Sequence, residues 1–160
     1  MKRPIALFTA IAVAAAPAAV AAAPSMKVEG AWARATPPGA ATGAIYLTVV
    51  NDSASTDRLV GASTPAAAKA EPHAMSMKGG IMTMRPAKDG LAVPARGVLM
   101  LAPSGDHLML TGLKGPLKTG AKIPLTLRFA SATLIKVEIP VRDDAPSHDH
   151  MRMRMRMRMR

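Results

Sequence analysis

The chain has 160 residues, with 21 Lys+Arg against 10 Asp+Glu, so its formal charge is +11. Lys2 and Arg3 stand at the N-terminus and five arginines stand in the last ten positions, which leaves 14 basic against 10 acidic residues elsewhere, a surplus of +4. A body so mildly basic, with only Trp32, Tyr46 and Phe129 as aromatics, is a poor nucleic-acid domain. The absence of cysteine excludes disulfide scaffolds, thiolate zinc sites and any copper centre that needs a Cys ligand.

The first element is a targeting segment. Met1-Lys2-Arg3 is a short positive start, Ile5 to Val13 is apolar, and small residues follow up to Ala23. This reads as a secretory signal peptide over residues 1–22, cut after Ala22, because Pro24 disfavours a cut after Ala23. The run is long enough to span a bilayer, but it is mostly Ala and is interrupted by Pro17, which argues against a retained anchor. The expected location is a bacterial periplasm.

Residues 23–142 read as one all-β domain. Ala44 to Val50 is rich in β-branched and aromatic residues. Leu125, Leu127 and Phe129 alternate with Thr126 and Arg128, and Ile135, Val137, Ile139 and Val141 alternate with polar residues. Turn signals separate the runs at Pro37-Pro38-Gly39, Asn51-Asp52-Ser53, Gly79-Gly80, Lys88-Asp89-Gly90, Pro103-Ser104-Gly105 and Lys118-Thr119-Gly120. No window has convincing helical periodicity. The pattern predicts a sandwich or Greek-key barrel of about seven to nine strands.

Methionine and histidine carry the chemistry of the body. Residues Glu71 to Pro86 hold His73, Met75, Met77, Met82 and Met84, and a second segment holds His107 and Met109. On a strand, residues two apart share a face about 7 Å apart, so His107 and Met109 point together, as do Met82 and Met84. Imidazole and thioether ligands suit Cu(I), whereas Mg²⁺, Ca²⁺ and Zn²⁺ bind thioethers weakly. Uncharged sulfur would hold Cu(I) less tightly than thiolate, which fits a carrier that must release its metal. Methionine is also a common core filler: Met100, among Val98, Leu99 and Leu101, reads as core, and Met75 and Met77 are balanced between core and ligand. No Ser/His/Asp set or carboxylate pair stands out, so an enzyme is not expected.

The segment 143–160 differs from the rest. After Asp143 to Ser147 come His148, Asp149 and His150, then five Met-Arg pairs starting at Met151. The repeat should not pack by itself and is predicted to be disordered without metal. His148, His150 and Met151 are secondary ligand candidates, and the imidazole and carboxylate groups are of a kind that Cu(II) accepts. The five arginines would draw this tail to an anionic membrane surface or an acidic partner.

The stretch from Gly30 to Gly39, the strand with Tyr46, Gly80 to Pro86, and His107 to Lys114 with Pro116-Leu117 resemble the periplasmic Cu(I) chaperones of the PCuAC family. The resemblance runs from about Gly30 to Val141. It implies a cupredoxin-like Greek-key β-sandwich or barrel, monomeric, with one exposed Cu(I) held by His73, Met84, His107 and Met109. It also implies delivery of copper to a cytochrome c oxidase subunit or another assembly chaperone; the alternative role is copper buffering or resistance. Twenty-two residues separate Met84 from His107, where the family usually has twenty-one, and the extra one is expected near Lys88-Asp89-Gly90. Pro72 stands where the family has an aliphatic residue. It removes a ladder donor, which predicts an edge strand or a turn at His73.

Overall fold

The computed structural model describes residues 25–143. The signal-peptide reading and the tail, with His148, His150 and Met151, therefore lie outside the described residues. Within them every regular element is a strand: β1 Met26–Arg34, β2 Thr42–Asn51, β3 Asp57–Ser63, β4 Ala67–Lys78, β5 Ile81–Pro86, β6 Leu91–Val93, β7 Val98–Leu101, β8 His107–Leu113, β9 Lys122–Phe129 and β10 Leu134–Arg142. Each turn signal of the sequence falls between two of these strands, except that Asn51 is itself the last residue of β2.

Seven strands close a ring in the order β4-β8-β2-β1-β10-β9-β3, and β3 returns to β4 through the pair Ala62 and Ala70. All neighbours are antiparallel except β1 and β10, so this is a mixed barrel of the expected class. The ring follows from period-two patterning. Leu125, Leu127 and Phe129 of β9, Ile45, Leu47 and Val49 of β2, and Leu108 and Leu110 of β8 all point inward and are essentially inaccessible to solvent.

Three short strands hang on the ring, which is why ten strands are seen rather than seven to nine. β7 and β8 lie end to end along one edge of β2: Leu47 to Val50 pair with β7, and Thr42 to Ile45 pair with β8. The loop 102–106 bulges out between them. β6 continues the edge of β3 in the same way. β5 folds back on the outer half of β4, making a two-stranded arm from His73 to Pro86. Gly79 and Gly80 turn this hairpin with φ of 60° and 77°, the geometry of a type I′ turn, which suits glycine at both positions.

Two sequence expectations are corrected. Met100 is not core: β7 alternates, Leu99 and Leu101 face inward, and Met100 is 53% exposed. Four apolar residues in a row concealed the alternation. Pro72 does not mark an edge or a turn, because β4 runs through it with β8 on one side and β3 then β5 on the other. Its ring is buried, and its carbonyl accepts a 2.8 Å bond from the Ala87 amide at the last rung of the arm. The missing donor therefore falls where β4 changes partners, at the end of a ladder.

Candidate metal centre

The site grows from the outward face of the barrel where β4, β5, β8 and β2 meet. On β8, Leu108 and Leu110 fill the core, so His107 and Met109 must point out. His73 pairs directly with His107 across the β4–β8 ladder, and the two ring centroids are 6.0 Å apart. Met84 of β5 pairs with Met75 of β4, two residues beyond His73 on the same face. Met75, Met84, His107 and Met109 line one open groove of about 330 Å³, with Tyr46, Arg34, Thr36 and Pro103 among its other walls. Three of the four candidate ligands thus line one groove, and His73 is not among its walls but pairs with His107.

The two imidazoles are prepared differently. Gly105 carbonyl lies 3.0 Å from Nδ1 of His107, and a carbonyl can only accept, so Nδ1 carries the proton and donates it there. That tautomer leaves the Nε2 lone pair free, an arrangement common behind metal-bound histidine. Nδ1 of His73 is shielded from solvent and has no hydrogen-bond partner within the described residues. An orphaned buried nitrogen costs free energy unless something meets it. Burial lowers the pKa of His73 first, the neighbouring His107 lowers it further, and Glu71 opposes both. The ring therefore favours its neutral form, with a lone pair available.

The donor set selects against hard ions. Among the described residues no three His, Cys, Asp or Glu side chains converge. Asp106 is close, but one of its carboxylate oxygens accepts a 2.9 Å bond from the Met75 amide, which ties the loop 102–106 to the arm. Two imidazoles and two thioethers make a neutral, soft set that fits Cu(I).

Support comes from residues to which the sequence reading assigned no part in the site. Trp32 and Tyr46 stack at 4.8 Å, and Tyr46 lies 6.4 Å from the His107 ring. Both are buried but stand outside the core cluster, on the face that carries the site. A bulge in β1 between Glu29 and Trp32, with Gly30 at φ 59°, re-aims Trp32 onto that face. The signal for the bulge was an isolated glycine inside a strand pattern. Gly105 was visible only as part of a turn, and Asp106, immediately before His107, had no role assigned to it. Met75, balanced between core and ligand by sequence, lines the groove beside Met84.

Comparison with known proteins bears on the fold and the family. The family model of LpqE-like proteins matches residues 26–141. Lxx21020 of Leifsonia xyli subsp. xyli, named as a lipoprotein, is 41% identical over 118 residues, covering 74% of this chain and 70% of that protein. The solution structure of Cu(I)-DR1885 from Deinococcus radiodurans matches with TM-score 0.59 at 37% identity, covering 79% of this chain and 84% of that one. The copper-bound PCuAC domain from PmoF2 matches with TM-score 0.63 at 25% identity, covering 79% and 97%. The barrel is thus of the cupredoxin-like kind found in PCuAC domains, and the chain belongs to the LpqE-like family.

Proposed function

We propose that this protein is an extracytoplasmic copper chaperone, binding one Cu(I) through His73, Met84, His107 and Met109. The observation that carries the reading is the pair of neighbouring imidazoles: one has a buried, unpartnered nitrogen, the other is fixed by a carbonyl, and both stand beside a thioether groove. Copper in two of the similar solved structures, and the lipoprotein name of the Leifsonia relative, support cargo and location. Within that reading the compartment is the periplasm and the destination is the copper site of cytochrome c oxidase, reached through an oxidase subunit or another assembly chaperone.

The chemistry is binding and release, without turnover. His107 enters pre-oriented, so little order is lost when it meets the ion. Met84 and Met109 add polarizable sulfur without charge, and the open groove leaves the ion reachable by an acceptor's ligands. The test is Cu(I) competition titration of the His107→Ala/Met109→Ala variant. Affinity should fall by well over 100-fold, more than the 10–100-fold typical of losing only a group behind a ligand. The β circular dichroism should be retained. Wild-type affinity in that variant would remove the assignment.

A further inference from the structure

The arm carries more sulfur than this centre uses. Across its ladder Met77 stands opposite Met82 and Met75 opposite Met84, so four thioethers occupy one face of one hairpin, in line with His73. Met77 is 69% and Met82 54% exposed. The opposite face of the arm carries no sulfur: Ser76 and Thr83 share a 2.9 Å hydrogen bond, and Lys78 pairs with the exposed Ile81. Sulfur is therefore sorted to one side, the side that leads into the groove.

We infer that Met77 and Met82, with Met75 leaning from the next rung, form a second and weaker soft-cation site, taking Cu(I) or its redox-inert analogue Ag(I). This inference rests on the reading of the groove as a Cu(I) centre. Directly opposed residues on antiparallel strands have Cβ atoms about 4.5–5.5 Å apart. The flexible, unbranched Met side chain can bring two sulfurs to about 2.3 Å from one ion across that gap. The next rung lies about 7 Å along the strand, within reach of a third thioether. Only sulfur donors face this position, so oxygen-seeking ions gain nothing there. The lack of an imidazole makes it weaker than the inner centre. Met75 belongs to both groups, lining the groove and neighbouring the Met77–Met82 rung, so an ion caught at the exposed tip can pass inward by exchanging one thioether at a time. The arm thus works as an entry track for the inner centre.

The experiment is Ag(I) titration of the full chain with carbon-13-labelled methionine methyl groups, assigned by single Met→Leu variants. The first equivalent should shift the methyls of Met84 and Met109. Further Ag(I) should shift those of Met77 and Met82, with Met75 following. In Met77→Leu/Met82→Leu the second arm response should be lost with the first unchanged, and Cu(I) loading from a weak small-molecule donor should slow several-fold. If later equivalents move only methionines beyond residue 143, or the double variant loads at the wild-type rate with the same stoichiometry, the track is overturned. If the first equivalent leaves Met84 and Met109 unmoved, the inner centre itself is overturned, a result read from different methyl signals.

Discussion

The barrel wall and the arm obey the same period of two and use it for opposite ends. In β8 and β9 alternate side chains vanish into a packed interior, and Leu108, Leu110, Leu125 and Leu127 are at most 1% exposed. In the arm neither face is buried: residues 73–78 and 81–86 are half-buried at most. The wall is held by burial, the arm by cross-strand pairing and one glycine turn. The centre straddles the two. His107 and Met109 come from the wall, Met84 comes from the arm, and His73 stands at the junction. In the proposed centre a fixed half would recognise the ion while an adaptable half would admit and release it.

The largest expected effect separates the two regions by stability. Leu108→Ala removes a fully buried side chain and should cost about 2–5 kcal/mol of unfolding free energy. Met77→Leu/Met82→Leu, on the exposed arm, should stay within about 0.5 kcal/mol. Chemical denaturation of both variants measures this, and equal losses would erase the distinction between wall and arm.

A smaller effect should appear in binding alone. Gly79→Val/Gly80→Val forces β-branched residues into a left-handed conformation at about 1–2 kcal/mol each. The strain falls on the arm, so Cu(I) affinity should drop by about tenfold or more through Met84. The thermal midpoint of the barrel should hardly move.

The smallest effect is the pH dependence of the metal-free protein. The pKa of His73 is lowered from 6.5 by burial, then by His107. The folded state therefore binds a proton less readily than the unfolded chain. This stability is present above the unfolded value and is lost as pH falls through the folded one. The thermal midpoint should decline as pH falls below about 6.5, and His73→Asn should flatten that slope. Cu(I) binding should weaken as the solution is acidified, because protons compete with the metal for its ligands. A His73→Asn slope equal to wild type would show that the junction ring carries no such penalty.

Much of this was legible in the sequence because strand periodicity and ligand chemistry are local. Ile139 and Val141 of β10, or His107 and Met109 of β8, declare their faces from i and i+2 alone. The four candidate ligands were reached with the help of family resemblance; Met84, His107 and Met109 line one groove, and His73 pairs with His107. What stayed hidden depends on partners distant in sequence. Met100 sits in an unbroken apolar run, so only the pairing of β7 with β2 shows which way it faces. Pro72 suggested an edge strand or a turn because the sequence does not reveal that β4 exchanges β3 for β5 at that point. The Tyr46–His107 approach and the Asp106 bond to the Met75 amide join residues 61 and 31 positions apart, beyond any local pattern.

X-ray absorption at the copper edge, on protein loaded with one equivalent of Cu(I), tests the centre most directly. Two nitrogen and two sulfur scatterers should surround the metal, and Met84→Leu and Met109→Leu should each remove one sulfur while both nitrogens remain. A shell of sulfur alone, or a sulfur count untouched by those substitutions, would contradict a centre shared between the wall and the arm.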